Sequence, residues 1–120
     1  MIRANVEKRV LKPFKDMITG KRGENWWMLG TNNWNAVCLA GVTGAALAQV
    51  PDRAERAMFV VGAEKYVRNF LRGFTKDGYC SEGVGYWNYG FGRYVLLSEA
   101  VCQATDGSLR SCSGVGAGAP

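Results

Sequence analysis

Asn35-Ala36-Val37-Cys38-Leu39-Ala40-Gly41-Val42-Thr43-Gly44-Ala45-Ala46-Leu47-Ala48-Gln49-Val50 carries no charged side chain. Small and aliphatic residues fall on all sides of it, so it reads as one helix, and a helix without a polar face is buried on every side. A membrane span is the rival reading. The run is short of the ~20 apolar residues a span requires and holds Asn, Thr, Gln and two glycines, so no membrane span is expected. Gly41, Gly44, Ala45 and Ala48 let neighbouring helices come close, and Thr31 or Asn32 is placed to cap the N-terminus.

Outward from this run the chain continues helical. Ile2, Val6, Val10, Phe14 and Met17 recur at steps of four and three between charged residues, the stripe of an amphipathic helix. Pro13 predicts a kink or an early stop near Lys12, and Gly20 ends the segment. Lys21 to Gly30 reads as a loop; its adjacent Trp26 and Trp27 cannot share one helix face, so at least one lines a surface or groove. Pro51-Asp52 opens a further helix, with Asp52 and Glu55 near its positive end. That helix ends near Gly73 and presents Ala54, Ala57, Met58, Val61, Tyr66, Phe70 and Leu71 as its apolar face. A last helix is expected over about Phe91 to Ala104, with Tyr94, Val95, Leu97, Val101 and Cys102 apolar.

No strand pattern occurs, and the fold class is all-α: three or four helices in antiparallel hairpins. A four-helix bundle satisfies the count, but a bundle helix keeps a polar face and the Asn35–Val50 run has none. That run asks for a second layer, as in the inner wall of a double-walled (α/α) toroid or barrel. Residues 1–105 form one helical segment of such a toroid, and residues 106–120, rich in Gly, Ser and Ala, form a flexible tail.

The 120 residues allow one domain, and 48% hydrophobic with 21% charged residues is a folding composition. The net charge of +5 is spread along the chain, as a solvated basic surface or as a field attracting an anionic polymer. Basic residues alternate with acids and no recognition-helix motif occurs, so nucleic acid is not the expected partner. The chain has no His, which removes the commonest general base and metal ligand. Cys38, Cys80, Cys102 and Cys112 form no CxxC pair, and no metal or cofactor is expected. The N-terminus lacks the apolar core of a signal peptide.

Two stretches stand out as ligand loops: Thr31-Asn32-Asn33-Trp34-Asn35, and Asp77-Gly78-Tyr79-Cys80-Ser81-Glu82-Gly83-Val84-Gly85-Tyr86-Trp87-Asn88-Tyr89-Gly90. The second holds four glycines and four aromatic rings, material for shaping a groove rather than a core. The first resembles the Asn-Asn-(His or Trp) motif of heparinase II/III-like polysaccharide lyases. The second, about forty residues on, resembles that family's Asp-Gly-(x)3-Glu-Gly-(x)2-Tyr segment. Order, spacing and the intervening helical hairpin agree over roughly Trp26 to Ala104.

The resemblance implies an incomplete (α/α) toroid followed by β-rich domains, of which this chain is a toroid slice without the C-terminal β-rich part. It also implies a periplasmic or secreted setting and an acidic polysaccharide as partner. The implied reaction is β-elimination. A base removes the C5 proton of a uronic acid whose carboxylate is neutralised by hydrogen bonds, and an acid protonates the departing glycosidic oxygen. By resemblance Tyr86 is the catalytic base and acid, and Asn33 neutralises the carboxylate. Trp34, Asn35, Glu82, Trp87, Tyr89, Arg93 and Trp27 are the substrate-binding candidates, Glu82 chiefly as organiser of its loop. Trp34 departs from the members that carry His there, since Trp exchanges no proton at neutral pH. The alternative is a non-catalytic carbohydrate-binding or structural helical domain. A hydrolase is a further possibility by fold analogy, but Glu24, Asp77 and Glu82 show no spacing that singles out a carboxylate pair.

Overall fold

The computed structural model describes residues 1–106; the expected tail, residues 106–120 with Cys112, lies outside the described residues except for Asp106. The N-terminal helix does not stop at Pro13. It runs as α1 (Ile2–Val6), a π-helical turn (Glu7–Leu11) and α2 (Lys12–Ile18). In the π turn the Lys12 N–H donates to the Glu7 carbonyl, one residue further back than in an α-helix. The register shift lets Pro13 enter the first turn of α2, where its missing N–H has no partner to lose. It also turns Leu11 into the core beside Phe14 and Met17, while Ile2, expected on the stripe, is exposed. Gly20, at φ +82°, ends the segment.

The Lys21–Gly30 segment is not loop throughout: Trp26–Leu29 forms the short helix α3. The uncharged run forms α4 (Asn33–Gln49), with the Asn32 side chain as cap accepting from the Trp34 N–H at 3.2 Å. Pro51-Asp52 then opens α5 (Arg53–Leu71), where the Asp52 carboxylate accepts from the Glu55 N–H at 2.9 Å. The Arg56 guanidinium holds the tight turn by donating to the Val50 and Pro51 carbonyls, both at 2.8 Å. The last helix, α6, spans Val84–Ala104 and so begins seven residues before the expected Phe91, taking in half of the glycine-aromatic stretch. No strand forms among the described residues, only a Phe74–Cys80 bridge. The chain is all-α.

α5 returns antiparallel to α4, since the Asn35 amide near the start of α4 reaches the Tyr66 carbonyl late in α5. α6 runs parallel to α4: Gly90 lies against Asn33 near their N-termini, and Ala104 and Leu47 line one hollow near their C-termini. Phe14 stacks on Phe59 at 5.9 Å, and Lys15 pairs with Glu55 at 3.0 Å, which fixes α2 across α5.

Two apolar faces differ from expectation. On α5 the core takes Phe59, Val60, Ala63, Tyr66, Val67 and Phe70, while Ala54, Ala57, Met58, Val61 and Leu71 are exposed. The helix is apolar on two sides, and Gly62 selects one of them by admitting Ile18 to within 3.1 Å of where a Cβ would stand. On α4, Ala36, Leu39, Val42, Thr43 and Ala46 are buried, but Gly41, Gly44 and Ala48 form an open strip. Within the described residues this helix is covered on three sides, not all round.

Candidate functional site

The two motif stretches meet. Asn33 opens α4, and Glu82 stands two residues before α6; the Glu82 carboxylate accepts the Asn33 backbone N–H at 2.9 Å. Together with the Asn32 cap, this satisfies two of the amides left free at the α4 N-terminus and sets a negative charge against its positive end. Glu82 thus ties its loop to the start of α4.

The segment between α5 and α6 is held locally. The Thr75 hydroxyl donates to Asp77, and the Thr75 and Tyr79 backbones pair, with the Thr75 N–H to the Tyr79 carbonyl at 3.0 Å. Asp77 has its carboxyl below the usual value, by the Thr75 hydroxyl first and then by backbone N–H groups of the same turn. Gly78 and Gly83 take φ of +85° and +87°, where a side chain is strained. The Trp87 indole N–H closes the loop onto α6 by donating to the Gly78 carbonyl at 2.9 Å. At Gly90 a Cβ would stand 3.0 Å from the Asn33 Cβ and 3.1 Å from the Phe70 ring, so α4 and α6 meet without an intervening side chain.

A cleft of about 370 Å³ opens above that contact, lined by Asn32, Asn33, Trp34, Val37, Glu82, Tyr86 and Tyr89. It brings together Tyr86, Asn33, Trp34, Glu82 and Tyr89 of the sequence candidates. Asn33 is 6% exposed and its side-chain amide makes no hydrogen bond within the described residues; the buried polar atoms without a partner there are Asn35 Oδ1, Thr43 Oγ1 and Ser98 Oγ, so the Asn33 amide still reaches the solvent of the cleft. Tyr86 and Trp34 are more than half exposed, at 59% and 53%. The Arg93 guanidinium stands 5.5 Å from the Tyr89 ring centre and pairs with neither Glu82 nor Asp77.

The other candidates lie elsewhere. Asn35 is fully buried, and its amide donates to the Trp27, Met28 and Tyr66 carbonyls at 2.9–3.1 Å, pinning α3 and α5 to α4. Trp27 packs into the core on Phe14, and Trp87 stacks on Phe91 at 5.0 Å beside Phe74. Trp26, the neighbour of Trp27, is the residue at the surface. Among the described residues no cluster of His, Cys, Asp and Glu could hold a metal ion, and no helix is long and apolar enough to cross a membrane.

The cleft's residues supply one carboxylate, two phenol hydroxyls, amides and aromatic faces; Arg93 is not part of the lining and lies against the Tyr89 ring. That set can bind a polyhydroxylated ring and move a proton through a phenol. Neither a family model nor a curated protein nor a solved structure matches the chain.

Proposed function

We propose that the cleft binds a uronic-acid-bearing polysaccharide and that the chain is a wall segment of an (α/α) toroid of the polysaccharide lyase type. The observation that carries this is Asn33: a side-chain amide with no protein partner among the described residues, opening on the same cleft as an exposed Tyr86. An amide at a cleft wall with no protein partner has its donor and acceptor free for a ligand. A carboxylate accepting from the Asn33 Nδ2 becomes a better electron sink, and the C5 proton beside it becomes more acidic. Tyr86 takes that proton as phenolate and returns it to the glycosidic oxygen as phenol, so bond cleavage and double-bond formation balance without water. Glu82 is engaged by the Asn33 N–H, which leaves it a positioning rather than a proton-transfer role. Arg93 provides the rim charge for an anionic chain.

The toroid reading is supported by α4 and α6 lying parallel with α5 reversed against α4, the alternation of inner and outer helices in such a wall. The open strip on α4 is where a neighbouring layer would sit.

The test is incubation with a panel of alginate, heparan and related glycans, following the near-ultraviolet absorbance of a 4,5-unsaturated uronate alongside binding by calorimetry. Turnover that Tyr86→Phe abolishes with binding kept is the expected result. Binding that survives Tyr86→Phe, with no turnover in either form, selects the alternative of a carbohydrate-binding domain. That second reading has its own observation: Trp34, half-exposed in the cleft, offers a stacking face and no exchangeable proton. Absence of any glycan binding would refute both.

A further inference from the structure

Beyond the cleft, on α3, Trp26 is 62% exposed and lies edge-on to Trp34, with ring centres 5.7 Å apart and planes at 64°. The two indoles come from different elements, so their contact is a feature of the fold and not of one helix turn. α3 itself is firmly seated: Met28 is fully buried, its carbonyl accepts from the Asn35 and Asn69 amides at 2.9 Å, and Trp27 stacks on Phe14. Trp26 therefore projects from a rigid base and is held in orientation by Trp34, while most of its surface faces solvent.

An exposed pair of large aromatics next to a concave site marks a binding surface. Its surroundings select the occupant. Leu29 on α3 is exposed as well and Val37 lines the cleft, but polar groups outnumber them there: the Asn32 and Asn33 amides, the Glu82 carboxylate and the phenols of Tyr86 and Tyr89. Flat ring faces beside hydroxyl and amide groups suit a pyranose, whose C–H face carries partial positive charge toward the π-cloud while its edge is hydrogen-bonded.

We propose that Trp26 is a second sugar platform, taking a ring of the glycan chain next to the one held in the cleft and making Trp26 a determinant of chain-length preference. This rests on the glycan-binding reading of the cleft and adds a site to it. The chemical class bound is an oligosaccharide of at least two rings, not a monosaccharide. Pre-seating of both indoles means that little side-chain freedom is lost on binding.

The experiment is calorimetric titration of the full chain and of Trp26→Ala, Trp26→Phe and Trp34→Ala with alginate oligosaccharides of increasing defined length from the disaccharide upward. Wild-type affinity should rise with length and then level. Trp26→Ala should flatten that rise, losing about five- to tenfold for long oligomers with little change for the shortest, as expected for one aromatic contact. Trp26→Phe should recover part of it, and Trp34→Ala should weaken every length. Unchanged length dependence in Trp26→Ala, or an equal loss at every length, would overturn the platform while leaving the cleft reading intact. No binding of any alginate oligomer by wild type, nor of heparan and the other glycans of the panel, would overturn the cleft reading and the platform together. Concentration-dependent dimerisation that Trp26→Ala abolishes would also overturn it, by assigning the indole to a second copy of the chain. Trp26 is exposed, so unchanged helical circular dichroism and melting are expected controls.

Discussion

Removing the Glu82 carboxylate tests whether the two motif stretches are joined as the structure joins them. Glu82 accepts the Asn33 N–H at 2.9 Å across 49 residues of sequence, at the first turn of α4. In Glu82→Ala that N–H loses its protein acceptor beside an open cleft, so water replaces part of the bond. The loss should sit near the lower end for an orphaned donor at a helix start, about 1–2 kcal/mol. Glu82→Gln keeps an acceptor oxygen and loses only the attraction of a charge for the helix end, about 0.3–1 kcal/mol. With a urea m-value of about 1.5 kcal/mol/M, the alanine variant should lower the midpoint by about 0.7–1.3 M and the glutamine variant by about 0.2–0.7 M. Equilibrium urea unfolding followed by circular dichroism measures both, and unchanged m-values would show that the denatured state is not the source. Amide exchange at Asn33 supplies the local check: it should quicken in Glu82→Ala and stay protected in Glu82→Gln. Equal midpoints for wild type and Glu82→Ala, or a glutamine variant as weak as the alanine one, would refute the cap.

Other positions give distinct outcomes. Asn35→Ala removes the donor to three carbonyls and leaves a void in the core, and should cost about 2–4 kcal/mol in the same unfolding assay. Gly73→Ala places a Cβ 2.1 Å from the Thr31 carbonyl oxygen, a backbone contact that must shift; at least about 2 kcal/mol should be lost, with glycan affinity falling alongside because Thr31 leads into the cleft. Tyr66 is buried and its phenol is pushed above the ordinary value near 10, by burial first and then by the hydrogen bond to and charge of Glu24. Between pH 10 and that raised value the unfolded chain has lost the proton and the folded one has kept it, so stability falls as pH rises. Urea midpoints should decline above about pH 10 in wild type and decline less in Tyr66→Phe.

The helical punctuation could be read from the chain because its chemistry is local. Asn32 and Asp52 act as caps where their side chains reach the next amides, and Gly20 ends a helix through a backbone angle that only it adopts easily. The start of α6 could not be read in this way. Gly85, Gly90 and Gly92 lower helix propensity across Val84 to Gly92, and packing overrides them: Gly90 is the residue that lets α6 touch Asn33, while Trp87 stacks on Phe91 one turn further on. Leu11 was hidden for a similar reason, since its burial follows from a π turn that regular periodicity does not contain. The face of α5 was ambiguous because both of its sides are apolar, and only the approach of Ile18 to Gly62 decides between them. Among the candidate residues, the two motifs marked Asn33 and Glu82 separately but not the bond between them. Asn35 carries no such mark: an amide in the first turn of a helix looks the same whether it faces solvent or three carbonyls.

This division has a consequence for how the cleft responds to substitution. Its floor is built from close backbone approaches, Gly90 to Asn33 and Gly73 to Thr31, and from the Glu82 cap; none of these tolerates added volume or a lost acceptor. Its rim is built from side chains that fold without being covered: Trp26, Trp34, Tyr86 and Tyr89 are each about half exposed or more, and contribute little buried area to stability. Floor substitutions should therefore move stability and ligand affinity together, and rim substitutions should move affinity with stability nearly fixed. Asn33 is the exception that joins the two. Its backbone belongs to the floor through Glu82 and its amide belongs to the cleft, so Asn33→Ala should keep the cap and change folding little while ligand binding fails. An amide whose deletion spares the fold and abolishes binding is held in place for the ligand, and that contrast separates a site from a structural hollow.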